Sequence, residues 1–212
     1  MLGVDYDCAF ADLDSVPKHK APYVKDGDQI IEDSHFIRMY FEDKLGKLLD
    51  EALPEEERAI GWALERMAED HLAKYMLMAR WLDDDNFNKG PATFFMSVPE
   101  EARQTVINKA RSDVNEGLYN EGFGRHSEAE RMAMVARDID AIACQLGGGA
   151  FLFGDNPSAA DAAVSAVLTS CATPFFNSPL VGMVAAYDNL AAYIKRIDTR
   201  FFSKNNWPYT AP

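Results

Sequence analysis

Residues 151–168 limit what this chain can fold into more than any other stretch. They read as a tight turn, a reciprocal helix cap, and then a helix with no charged residue after its first turn. Ser158 is followed three residues later by Asp161, an acidic variant of the capping box. The serine hydroxyl can accept the Asp161 backbone N–H, and the carboxylate can accept the Ser158 N–H, so both orphan donors find partners. Gly154 permits the turn, Pro157 fixes the end of the loop, and Ala159, Ala160, Ala162 and Ala163 are strong helix formers. A helix this apolar must be buried all round, which implies a larger helical assembly.

The composition supplies that assembly and excludes some functions. With 212 residues and 48% apolar content the chain can build one core or two small ones. A net charge of −13 opposes phosphate backbones and anionic lipid, so no nucleic-acid partner is expected. Cys8, Cys144 and Cys171 form no CxxC pair, which fits a reducing cytoplasm. His19, His35, His71 and His126 stand singly, and no metal site is expected. Residues 162–187 are uncharged and long enough to span a bilayer. Pro174, Asn177, Ser178 and Pro179 interrupt them, however, so two core helices and no membrane span are expected.

Taken in order, residues 4–13 alternate with Tyr6, Cys8 and Phe10 on one face, the pattern of a half-buried strand. Residues 22–32 read as a hairpin turning at Asp26-Gly27-Asp28. A helix follows from Ser34 to about Leu45, with Phe36, Ile37, Tyr40, Phe41 and Leu45 at helical spacing and Gly46 as its stop. Pro54 and Glu55 to Glu57 open a long helix expected to reach about Leu82. Its inward stripe would be Ile60, Leu64, Met67, His71, Tyr75, Met78 and Leu82, ended by Asp83 to Asn86. Further helices are expected at 99–119, at 127–146 behind a Ser127/Glu130 capping box, at 178–187 and at 189–202, with an irregular tail from 203.

Phe151, Leu152, Gly154, Ser158, Ala160 and Asp161 resemble the signature that opens a buried helix in the C-terminal domain of glutathione transferases. The element order resembles the same superfamily. The resemblance leans toward its metaxin and failed axon connections branch through Ala21-Pro22-Tyr23, Glu32-Asp33-Ser34, residues 69–81, and the ending Asn189-Leu190, Tyr193, Arg196, Arg200 and Phe202. It implies a mainly α fold: a partial thioredoxin-like α/β domain over 1–47, a linker over 48–53, an all-α domain over 54–203 and a tail over 204–212. Fold by itself does not give function.

The resemblance also implies a site. Ala21 would precede a cis-proline, Pro22, and offer its backbone to the cysteinyl part of glutathione as an added strand would. Asp33 and Ser34 match the acid and serine that hold the γ-glutamyl end, although a plain helix cap explains them equally well. Lys20, and beside it Lys18, could meet the glycine carboxylate. His71, Tyr75 and Met78 could line an apolar second-substrate site, though such a stripe is more often core. The strand and helix that carry the thiol activator in this family have no counterpart before Met1. Residues 1–20 are therefore expected to be loosely held, and none of Tyr6, Cys8 or Tyr23 takes a catalytic role. The resemblance thus implies a glutathione-transferase-like protein with a partial glutathione site and doubtful catalysis. A thiol and an apolar electrophile are its small-molecule partners, with room for a homodimer. The other implied use is a non-catalytic, metaxin-like interaction module.

Overall fold

The computed structural model describes residues 1–9 and 11–202. The chain is mainly helical with one two-stranded sheet, and it divides into a unit from Met1 to Pro54 and a second from Glu55 onward.

In the first unit β1 (Tyr23–Asp26) and β2 (Gln29–Glu32) pair antiparallel, with Asp26 opposite Gln29. The loop is therefore Gly27-Asp28 rather than Asp26-Gly27. Only Gly27 has positive φ, the arrangement in which glycine takes the first loop position. Helix α1 (Ser34–Leu45) follows and stops at Gly46, whose left-handed φ of 60° suits glycine. The Tyr40 hydroxyl donates to Asp26 at 2.8 Å, and the Lys44 ammonium also bonds that carboxylate, so the last turn of α1 is tied to the hairpin loop. The Lys44 and Tyr40 bonds hold the Asp26 carboxyl below its usual value, since both favour its charged form.

The strand expected over 4–13 does not form. Residues 1–9 carry no regular structure, Tyr6 is 70% exposed, and residues 13–15 make a single 3-10 turn. Alternation makes a strand only when a neighbour completes the ladder, and among the described residues the sheet holds β1 and β2 alone. Phe10 lies outside the described residues. Phe36 and Leu45 of α1 are exposed rather than inward, and Val16 is the one buried apolar residue of this unit among those described.

The second unit holds the core. Helix α2 (Glu55–Met67) and α3 (Ala73–Trp81) run on from one another, but Ala68–Leu72 between them is a π turn, in which the Ala73 N–H reaches back to the Ala68 carbonyl. The expected stripe holds in part: Leu64 and Tyr75 are buried, and Met67, Met78 and Leu82 pack against the core. The buried positions are Gly61, Leu64, Glu65, Ala68, Leu72 and Tyr75, while Ile60 is 45% exposed. Asp83 does follow the helix end, yet it also caps a helix that the sequence reading missed, α4 (Asp84–Lys89), by accepting the Asn86 N–H at 2.8 Å. A 3-10 turn over Pro91–Phe95 leads to α5 (Glu100–Asn120).

Helix α6 (Glu128–Leu146) starts at the Ser127/Glu130 box and buries Val135, Ile139, Ile142 and Leu146 as its spacing predicts. Helix α7 (Ala159–Ala172) is the buried centre, with Ala160, Val164 and Leu168 almost fully enclosed. Helices α8 (Pro179–Ala185) and α9 (Asp188–Ile197) pack on it. A second π turn, Asp198–Phe202, replaces the last stretch of the helix expected to reach 202. The proposed tail from 203 lies outside the described residues. Among the described residues no helix is long and apolar enough to cross a membrane.

Candidate functional site

Hairpin pairing decides where the sequence-predicted residues fall. Because β2 runs back alongside β1, its end returns to the start of the hairpin, and the Asp33 N–H donates to the Pro22 carbonyl at 3.1 Å. Residues far enough apart in sequence to seem unrelated, the Ala21-Pro22 pair and the Asp33-Ser34 pair, thereby share one corner. The Ala21-Pro22 bond is cis. Asp33 is the N-cap of α1: its carboxylate accepts the His35 N–H at 3.0 Å and its carbonyl accepts the Ile37 N–H at 2.9 Å. Ser34 is the first residue of the helix and is exposed, as are Lys20, Ala21 and Pro22.

Asp33 has φ 80°, an unusual angle for a residue with a Cβ. Such a conformation costs about 1–3 kcal/mol and persists only where the surroundings fix it. Here the Pro22 carbonyl holds its N–H and the helix start holds its carboxylate. His19, next to Lys20, also has positive φ, at 50°, with its Nδ1 at 2.9 Å from the Leu13 carbonyl. Two residues with positive φ, His19 and Asp33, thus flank this corner.

Lys18 is used differently from Lys20. Its N–H donates to a Glu32 carboxylate oxygen at 2.7 Å, and its ammonium lies 4.7 Å from the Phe36 ring centre. Glu32 and Phe36 therefore belong to the same corner, although the sequence offered Glu32 only within the resemblance and Phe36 only as a helix position. Of the groups weighed for thiol activation, Tyr6 and Cys8 are exposed on the irregular segment, and the Tyr23 hydroxyl accepts the Asp12 N–H at 3.0 Å. Among the described residues no hydrogen bond joins Tyr6, Cys8 or Tyr23 to a basic side chain.

His71, Tyr75 and Met78 do not form an apolar lining. His71 Nδ1 lies 2.5 Å from the Asp138 carboxylate, and the Tyr75 hydroxyl donates to Glu128 at 2.5 Å, while Met78 packs on the core. Burial raises Asp138 above the ordinary carboxyl value, and the Tyr75 bond lowers Glu128. These are ties between the α2–α3 segment and α6. Arg80 and Trp81 diverge, as neighbours on a helix must: Arg80 lies over Phe176 and Trp81 meets Phe87. No group of side chains able to hold a metal ion is found among the described residues.

Comparison with known proteins finds one family in two stretches of the chain. Residues 1–86 match the glutathione S-transferase N-terminal domain, and residues 135–197 match the glutathione S-transferase C-terminal domain. The isoprene-epoxide–glutathione S-transferase of Rhodococcus sp. (strain AD45) is 30% identical over 202 residues, covering 92% of this chain and 83% of that protein. This chain belongs to the glutathione S-transferase family. Human metaxin-2 is similar at 23% identity over 188 residues, covering 88% of this chain and 71% of metaxin-2. No solved structure matches the chain. The first family match runs past the end of the first structural unit, through α2 and α3, so the family's sequence division and the contact division differ here. Glutathione S-transferases use glutathione as co-substrate, and it is against that ligand that the corner of Pro22 and Asp33 is weighed.

Proposed function

We propose that the chain binds glutathione at the corner formed by Lys20, Ala21, Pro22, Asp33 and Ser34, weakly and without activating its thiol. The observation that carries this is the Asp33 N–H to Pro22 carbonyl bond, which sets a strand-like backbone edge beside a helix start. An extended peptide can pair with the first, and the positive dipole end of the second suits a carboxylate. Lys20, for which no bond to another described residue is found, is a counter-charge for the glycine end. Turnover with an apolar electrophile would need a thiol activator other than Tyr6, Cys8 or Tyr23. Residence in a reducing cytoplasm is part of this reading, supported by three cysteines that are all free.

The test is thermal unfolding with glutathione. A ligand at 100 times its dissociation constant stabilises by about 2.7 kcal/mol, so millimolar glutathione should raise Tm measurably. Ser34→Ala should weaken glutathione binding by calorimetry about tenfold while moving Tm by no more than about 2 °C. Equal binding in mutant and wild type removes Ser34 from the site. A second reading, a non-catalytic module that docks a protein partner, is favoured by the metaxin-2 similarity over 88% of the chain. No thermal shift with glutathione would favour it.

A further inference from the structure

The second unit contains an open groove of about 570 Å³ between α4 and the segment that joins α7 to α8. One wall carries Asp85, Asn88 and Lys89, and the other carries the apolar Pro174, Phe176 and Val181 together with Asn177 and Ser178. Its volume falls within the range of small-molecule sites.

The apolar wall is held from several directions. Asn86 is buried and grips the backbone of Asn177 at both ends: its amide donates to the Asn177 carbonyl at 2.8 Å and its oxygen accepts the Asn177 N–H at 2.8 Å. The same amide donates to the Ala79 carbonyl at 3.0 Å, anchoring the clamp to α3. Phe176 is stacked under the Arg80 guanidinium, 4.4 Å from its ring centre. On its edge it meets Gly90 so closely that any Cβ there would come within 2.7 Å of the ring. A connecting loop usually has no such bracing, and a braced wall keeps a fixed shape for a ligand at low ordering cost.

The polar wall has complementary charges left open. Asp85 and Lys89 stand four residues apart on α4, yet among the described residues neither makes an ion pair or hydrogen bond through its side chain. A groove with one open carboxylate, one open ammonium and an aromatic opposite wall matches a molecule with both charges at one end and an apolar body. We infer that this groove binds a small zwitterion with an apolar side chain, in chemical class a free aromatic or branched amino acid. The ligand carboxylate meets Lys89, its ammonium meets Asp85, and its side chain lies on Phe176 and Val181. A dianion such as phosphate is disfavoured by Asp85, and a purely apolar molecule would leave both charges unused.

The experiment titrates L-phenylalanine into the intact chain and follows backbone amides of Asn88, Lys89, Asn177 and Val181 by NMR. Saturable shifts at millimolar concentration are expected, and they should persist in Ser34→Ala, so that failure here is distinct from failure at the Pro22 corner. Val181→Trp, which fills the groove, should weaken binding about tenfold or more, corresponding to loss of most apolar contact. Lys89→Met, at an exposed position that should fold normally, should weaken phenylalanine and N-acetylphenylalanine about threefold and leave phenylalaninamide unchanged, in line with an exposed ion pair. Asp85→Asn should do the reverse, sparing N-acetylphenylalanine. Absence of saturable shifts up to about 20 mM overturns the inference, as does binding that none of the three variants alters; that concentration is well beyond ordinary weak affinities.

Discussion

The chain uses the same capping box twice, and the two copies sit in opposite surroundings. At the head of α6, Ser127 N–H and Oγ both donate to Glu130 at 2.7 Å, and Glu130 N–H returns to Ser127 Oγ at 3.3 Å. At the head of α7, Ser158 N–H and Oγ both donate to Asp161 at 2.7 Å, and Asp161 N–H returns to Ser158 Oγ at 3.4 Å. The local bonds match one for one. The difference is that the first box is in water and the second is enclosed, with Ser158 at 1% and Asp161 at 0% exposure. Burial recruits further donors: the Leu152 N–H at 3.0 Å and the Tyr193 hydroxyl at 2.7 Å both reach the remaining Asp161 oxygen. One carboxylate thus joins the turn before α7, the cap itself and the last helix, while its counterpart closes a single helix end.

The comparison is broken most directly by Asp161→Ala. It leaves the Ser158 N–H and hydroxyl and the Leu152 N–H buried without that acceptor, and takes from the Tyr193 hydroxyl its 2.7 Å bond while leaving the residue-161 carbonyl at 3.4 Å, at about 1–3 kcal/mol for each group stranded. The expected outcome is a loss of several kcal/mol in denaturant unfolding, enough to leave the chain unfolded or nearly so. A Tm within 3 °C of wild type would mean that the enclosed box is no more than an ordinary cap.

Tyr193→Phe removes one of those donors and should cost about 1–3 kcal/mol. It also predicts a pH effect. Burial, then the neighbouring Asp161 carboxylate, raises the Tyr193 phenol far above its ordinary value near 10. The folded state therefore keeps the proton where the unfolded chain loses it. This contribution to stability is whole below about pH 10 and falls as pH rises beyond that, so the difference between wild type and Tyr193→Phe should shrink in alkaline urea titrations.

Ser127→Ala tests the other box and should cost about 1 kcal/mol, because water can reach the freed donors. The smallest effect is expected of Glu130→Gln. The Ser127 bonds hold the Glu130 carboxyl below its ordinary value, so what it adds is present above about pH 4.5 and fades as pH falls through the lowered value. A change in Tm that is undetectable at pH 7 by calorimetry is consistent with its exposure. A change as large as that of Asp161→Ala would show that burial is not what separates the two boxes.

What was legible in the sequence follows the same division. The bond pair within each box spans three residues, and three-residue chemistry can be read from residue types alone. The bonds from Leu152 and Tyr193 to Asp161 span 9 and 32 residues, and only the packed fold brings them together. The strand expected at 4–13 failed for a related reason: alternation is local, but a ladder partner is not. Helix α4 was missed because Asp83 to Asn86 looks like a helix end, which it is, and the same aspartate also begins the next helix. At the candidate site, Pro22, Asp33 and Ser34 stood out by resemblance, whereas the hydrogen bond that joins Pro22 to Asp33 depends on hairpin register. Glu32 and Phe36 were not marked as partners of Lys18, since a carboxylate and an aromatic ring near a lysine become informative only once their distances are known.

The π turn at Ala68–Leu72 makes the helix one residue longer than its rise requires, because a five-residue reach replaces a four-residue one. That surplus acts as slack in the rotational phase of the helix. Deleting one residue before that turn, between Glu55 and Met67, would turn everything beyond it by about 100° relative to the start of α2 and carry Tyr75 away from Glu128. Deleting the exposed Asp70 would instead shorten the loop of backbone to an ordinary turn, and α2 and α3 would keep facing the partners they face now. In this helix, then, the place where a change of length does least damage is not at an end but in the middle, beside His71.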